Sequence, residues 1–180
     1  MQAHSEVEAS VSHHASRFLF DLGGIDLSAR LVTRPQMERL IPHRGVMSLV
    51  DAVVWHAPNW SSVVGYKKIR SDEFWCAGHF PGKPTFPGVL MIETAAQLAC
   101  YAFLVRSESS SLVLFLRIES ARFRHAVVPG DDFYLLGKEV KRPRRRFITD
   151  VQGVVGDRVA FDARISGMIV DEGDYGERGS

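Results

Sequence analysis

The chain has 180 residues, of which 46% are hydrophobic and 24% charged. That balance suits one globular domain able to bury a core without a metal or disulfide staple, and it excludes a wholly disordered chain. Lys+Arg 22 against Asp+Glu 21 leaves a net +1, so no global field points to nucleic acid or a membrane surface, and a charged partner must be read by a local patch.

Residues 1–16 are polar and without periodicity. They lack the apolar core of a secretory signal, and Glu6 and Glu8 count against a transit peptide. A cytoplasmic protein is expected, with residues 1–33 as a partly disordered N-terminal arm and residues 34–170 as the folded domain. Residues 171–180 form an acidic, Gly-rich flexible tail. Residues 34–40 predict a short helix, with Pro35 in its first turn and Pro42 ending it. Residues 47–56 and 60–69 are β-branched and aromatic runs split by Ala57-Pro58-Asn59, and read as two strands. The run 89–105 is apolar on every side but holds Glu93 and Gln97. It is too short and too polar to span a membrane, and predicts a helix enclosed by other structure. Beyond it, 111–123, 132–140, 145–155 and 158–168 read as four strands divided by Pro129-Gly130-Asp131, Arg142-Pro143 and Gly156-Asp157. The expected fold is α+β, an antiparallel sheet of about six strands, mostly meander-connected, wrapped around one long helix. One flank of that helix stays open, so a homodimer or a multiple of dimers is expected. Cys76 and Cys100 lack CxxC spacing, against zinc and against a secreted disulfide scaffold.

The informative segment runs from Gly78 to Gln97. Three prolines and three glycines within eleven residues make a stiff loop opened by His79, a side chain suited to proton transfer near neutrality. Pro87 and Gly88 lie at the expected helix start, where free backbone N–H groups favour a developing oxyanion. Glu93 is the only carboxylate between residues 89 and 105, so desolvation should raise its pKa and keep a proton available to donate. Gln97, one turn on, can hydrogen-bond the carboxyl and fix its rotamer. Base, acid and oxyanion donor are the parts needed to remove water β to a carbonyl, or to add it. Each residue alone has a plainer reading: a loop histidine as a structural group, a buried glutamate as a backbone cap, Gln97 as a satisfied core amide. His43 and His125 read as structural polar groups.

The segment GHFPGKPTFPGVLMIETAAQ resembles the signature of the bacterial (3R)-3-hydroxyacyl-acyl-carrier-protein dehydratases. The resemblance continues in Leu40-Ile41-Pro42-His43-Arg44, Leu49-Val50-Asp51, Ala121-Arg122-Phe123-Arg124 and Val127-Val128-Pro129-Gly130-Asp131, and covers roughly residues 35–168 in order. It implies a hotdog fold and dehydration of 3-hydroxyacyl thioesters on acyl carrier protein in fatty acid biosynthesis, with no metal or other cofactor. It implies a site at a dimer interface, with His79 from one subunit, Glu93 from the other and the Gly88 N–H on the thioester carbonyl. Phe80, Phe86 and Gln97 then belong to the substrate site. The family often has an aromatic-Pro pair where this chain has Gly45-Val46, and Met where it has Phe86; both positions border the acyl tunnel or its mouth. Glu at 93 resembles the general elongation enzyme, whereas the dehydratase-isomerase branch typically carries Asp. The alternatives are a hotdog acyl thioesterase and a non-catalytic acyl-binding subunit.

Lys138, Lys141, Arg142, Arg144, Arg145 and Arg146 cluster around one strand turn. They read either as a solvated hairpin tip or as a dock for an acidic carrier protein, drawn in by long-range attraction. No stacking aromatic pattern accompanies them, against RNA.

Overall fold

The computed structural model describes residues 17–107 and 112–170. The residues 1–16 of the expected arm and the whole 171–180 tail lie outside them. Strand β1 (Val32–Thr33) leads into a single helical turn, α1 (Arg34–Met37). The Gln36 side chain accepts the Thr33 N–H at 2.7 Å, satisfying a donor the helix itself leaves open. A 3₁₀ turn (Gly45–Met47) precedes β2 (Ala52–His56) and β3 (Ser62–Lys68). The strand expected from residue 47 therefore starts five residues later. The intervening Leu49 N–H bonds a helix side chain, the Gln97 carboxamide oxygen, at 3.0 Å, so this stretch is tied to the helix and not to a strand.

Helix α2 (Gly88–Leu104) follows, then β4 (Leu112–Phe123), β5 (Asp132–Lys141), β6 (Arg146–Val155) and β7 (Arg158–Val170). The sheet is antiparallel and seven-stranded, in the order β1-β2-β3-β5-β6-β7-β4. Two features go beyond the sequence expectation. The two-residue β1 joins one edge, and β4 crosses to the other edge beyond β7 instead of continuing a meander. β4 is therefore an edge strand, with Phe115, Leu116, Ile118 and Phe123 exposed.

Strand alternation sorts side chains onto two buried faces. Val63, Phe133, Leu135, Val151, Phe161 and Ile165 face α2, whose residues 94–104 are buried throughout. Gly65 sits under the helix, where a Cβ would lie 2.8 Å from the Leu98 Cδ2, so the absent side chain lets helix and sheet approach. Lys67, on the same inward alternation, is 2% exposed and pairs with Glu73 at 2.8 Å.

Val54, Val64, Leu136 and Val154 face the other way. They are covered by Phe18, Leu19, Phe20, Leu22, Ile25 and Leu27. The Leu19 N–H bonds the Gln152 side chain at 2.9 Å, and Arg30 lies 3.9 Å over the Tyr66 ring. Residues 18–27 of the arm expected from sequence thus pack as a strap over the outer face of the sheet, and the arm's last two residues, Val32–Thr33, form β1. The apolar pattern FLFDLGGIDL at 18–27 is the signal that carries this.

Candidate active site

His79 opens a loop closed on itself. The Thr85 N–H donates to the His79 carbonyl at 2.7 Å, and the Thr85 carbonyl lies 2.7 Å from the His79 Nδ1. A carbonyl can only accept, so Nδ1 carries the proton and Nε2 keeps its lone pair. The same loop is pinned to the core where the Phe86 N–H bonds the Val127 carbonyl at 2.8 Å. The ring thus has a fixed tautomer and orientation, with Nε2 as the basic atom.

His79 lines an open, mainly apolar cleft of about 560 Å³ with Phe86, Pro87, Gly88, Met91 and Phe123. Gly88 is the first residue of α2, so its N–H has no carbonyl a turn back to bond. A Cβ at Gly88 would sit 2.8 Å from the Phe123 ring. Glycine therefore allows this aromatic wall to lie directly against the helix start. His79 and the start of α2 at Gly88 share one cleft.

Glu93 does not open into that cleft. It lines a separate cavity of about 250 Å³ with Pro42, His43, Gln97, Cys100, Leu114 and Phe115. The Gln97 amide donates to Glu93 Oε1 at 2.9 Å and to the Met47 carbonyl at 2.8 Å, while its oxygen accepts from Leu49 N–H. Gln97 is thus a fully engaged buried amide that also orients the carboxyl. His43 Nε2 lies 3.4 Å from the same Oε1. Burial pushes the Glu93 carboxyl up. The hydrogen bonds from His43 and from Gln97 outweigh it, and the pKa falls below the ordinary 4.5. The expectation that desolvation keeps Glu93 protonated is overturned. Two N–H groups directed at the carboxylate oppose the effect of burial, and one of them belongs to His43, which reads from sequence as a structural group.

A FabA-like domain model matches residues 41–164. The 3-hydroxyacyl-acyl-carrier-protein dehydratase FabZ of Acidiphilium cryptum is 37% identical over 156 residues, 84% of this chain and 93% of that protein. The protein of the same name from Desulfotalea psychrophila is 36% identical over 129 residues, 70% and 85% of the two chains. The chain belongs to the FabZ dehydratase family. Among solved structures, the dehydratase heterocomplex ApeI:P from Xenorhabdus doucetiae superposes with a TM-score of 0.67 at 16% identity, covering 77% of this chain and 93% of that one. The likeness shows the hotdog fold.

The remaining expected site residues of this FabZ-family chain fall into two groups. Phe86 lines the His79 cleft but is buried, its ring centroid 5.3 Å from that of Trp75. Phe80 stacks on His79 at 4.1 Å and is 55% exposed, at the rim of the loop. The basic residues lie on the β5–β6 hairpin, at the opposite end of β5 from Val127 and the His79 loop. Lys141, Arg144, Arg145 and Arg146 are exposed there. Arg142 is turned inward, 5.0 Å from the Phe103 ring centroid and 3.2 Å from the Arg106 carbonyl, which gives it a packing role. No helix among the described residues is long and apolar enough to cross a membrane.

Proposed function

We propose that this protein dehydrates (3R)-3-hydroxyacyl thioesters carried on acyl carrier protein, in a site completed by a second copy of the chain. The observation that carries the reading is the His79 Nε2 lone pair, freed by the Nδ1–Thr85 contact, in one cleft with the Gly88 helix-start N–H. Nε2 takes a Cα proton, and the electron pair moves onto the thioester oxygen held by the Gly88 N–H. As that pair returns, the Cα–Cβ double bond forms and the Cβ–O bond breaks. The departing hydroxyl takes a proton from Glu93, in the form of the site in which the shared proton sits on that carboxyl and not on His79, and leaves as water, giving the trans-2-enoyl thioester. Afterwards His79 holds the proton that Glu93 lacks, and exchange with water resets both. A thioesterase would instead use its base to aim a water at the carbonyl carbon.

The two cavities of one chain support sharing between copies. The Glu93 cavity opens at the start of β4, at Leu112–Phe115, and the His79 cleft at its end, at Phe123. These points are roughly 30 Å apart along the strand. β4 is an unpaired edge with exposed apolar side chains, a surface that folded proteins cover. Pairing it antiparallel with the β4 of a second copy sets each start beside the other's end, and so brings Glu93 to the partner's cleft.

The acid–base pair works with one proton between its members, whichever direction is run, so the rate follows a bell in pH. Run as hydration, the reaction needs Glu93 as the carboxylate that takes a proton from the incoming water, and protonating it stops that step. Since Glu93 lies below its ordinary range, activity should be lost only as the pH falls below about 4.5. Initial rates of enoyl-thioester hydration across pH, on protein shown to remain folded, test both the activity and this limb. Thiol release in place of hydration would make the protein a thioesterase, and no turnover on any chain length would leave a binding subunit.

The hairpin cations support capture of an acidic carrier. β6 pairs with β7 and β7 with β4, through Arg146↔Met168 and Met168↔Leu114, so the hairpin lies at the Glu93 end of β4. In the paired arrangement it comes near the partner's cleft. Lys141→Glu with Arg144→Glu should raise KM for the carrier-bound substrate about tenfold and remove most of its salt dependence, because exposed charges act over about 8 Å at 0.15 M salt. Turnover of a small neutral thioester should not change. An equal loss on both substrates would make the cluster structural.

A further inference from the structure

We propose that His43 is the positioning residue of Glu93, fixing the carboxyl so that Oε2 is the oxygen that trades a proton with the substrate hydroxyl. The inference rests on the reading that Glu93 serves the 3-hydroxyl, and it adds a residue and an atom to that reading.

The segment carrying His43 is held from both sides. Ile41 is 3% exposed and anchors it in the core. The Arg44 guanidinium donates to the Ile41 carbonyl at 2.7 Å and to the His43 carbonyl at 2.8 Å, and also bonds the Glu38 carbonyl. Further on, Met47 and Leu49 are fastened to Gln97. His43 is thus delivered to helix α2 by a stitched loop, and its contact with Glu93 does not depend on a free surface rotamer.

The ring shows which nitrogen is used. Nδ1 of His43 is buried with no hydrogen-bond partner among the described residues, whereas Nε2 faces Glu93 Oε1 at 3.4 Å. An N–H on Nδ1 would be an unsatisfied buried donor, so the proton belongs on Nε2, directed at the carboxylate. The Gln97 amide ends on the same oxygen at 2.9 Å. With two N–H donors on Oε1, that oxygen's lone pairs are occupied. The exchangeable proton is then carried on Oε2, the oxygen that no donor among the described residues reaches. A single donor, even one as firmly held as Gln97, leaves the carboxyl free to turn about that hydrogen bond; the second donor, from a different element, fixes its plane.

The test uses the full-length protein labelled with carbon-13 at the glutamate carboxyl carbons, with the Glu93 signal assigned by Glu93→Gln. The other ionisable groups facing this carboxyl are His43 itself and Cys100, whose buried thiol is pushed up to about 12 and stays neutral throughout. His43→Ala should let Glu93 bind its proton about tenfold more tightly, since a donor to the charged form is removed. It should lower kcat about tenfold with KM within about twofold, and move the acid limb of the rate profile to higher pH. His43→Gln, which places an amide N–H at the Nε2 position but does not ionise, should restore the Glu93 titration and most of kcat. If Glu93 titrates alike in the wild type and His43→Ala, the proposal is wrong. It is equally wrong if His43→Gln and His43→Ala shift the titration alike. A wild-type protein without hydratase activity would remove the proposed reaction, while the titration would still decide whether His43 sets the Glu93 carboxyl.

Discussion

His79→Ala and Glu93→Gln should each lower turnover at least about a hundredfold, the lower bound for losing a general base or acid. The first removes Nε2, the lone pair that the Nδ1–Thr85 contact leaves for the substrate. The second keeps the shape and the Gln97 contact region but leaves no exchangeable carboxyl proton. Neither side chain is fully buried, and neither holds the core together, so both variants should melt close to the wild type. Because the two groups line separate cavities of one chain, the variants should also complement each other. Mixed after mild dissociation, they form some dimers with one intact site, and activity should return toward a quarter of the wild type. Near-wild-type rates in either folded variant would remove the acid–base assignment. Absent complementation, despite demonstrated subunit exchange, would place both groups in one chain's site.

The largest stability effect should come from a residue outside the chemistry. Lys67 is 2% exposed, inward on β3, and its ammonium is paired with Glu73. Glu73 also accepts the Arg70 N–H at 3.0 Å and the Trp75 indole N–H at 3.1 Å. Glu73→Leu therefore strands a buried ammonium, which should cost about 3–5 kcal/mol and lower Tm by roughly 10 °C for a chain of this size. Lys67→Met should cost far less. The carboxylate left behind keeps two N–H donors and lies nearer the surface, and the methionine side chain can pack where the lysine stem lay. Equal losses in the two variants, measured by urea unfolding, would show that the asymmetry is wrong. Glu73 also holds the turn that leads through Trp75 to His79, so Glu73→Leu should lower activity before it unfolds the protein.

Much of the site was readable because its parts are adjacent in the chain. The stiff Pro-Gly loop, the histidine that opens it and the glycine at the helix start lie within eleven residues. Local backbone geometry alone places them together. Gln97 could be assigned to Glu93 because one helical turn separates them, and the 2.9 Å contact agrees. The seventeen apolar-rich residues of α2 announced a buried helix, and alternation marked the four strands after it to within a few residues.

His43 could not be placed this way. Fifty positions along the chain separate it from Glu93, and its ring reaches the carboxylate because Ile41, Arg44 and Gln97 together fasten its loop against α2. The sign of the Glu93 shift depended on the same fact, since composition shows the burial that raises a carboxyl but not the donors that lower it. Arg142 reads as one of six clustered cations, yet the fold turns it onto Phe103. The crossing of β4 to the far edge, and the strap of residues 18–27 over the outer face, were likewise decided by tertiary structure. Periodicity tells which residues of a strand share a face; it does not tell which strand lies beside it or what covers the second face. The elements and the local chemistry follow from side-chain type and spacing along the backbone. The partners of those elements follow from burying both faces of one sheet at once, a condition that only the folded chain satisfies.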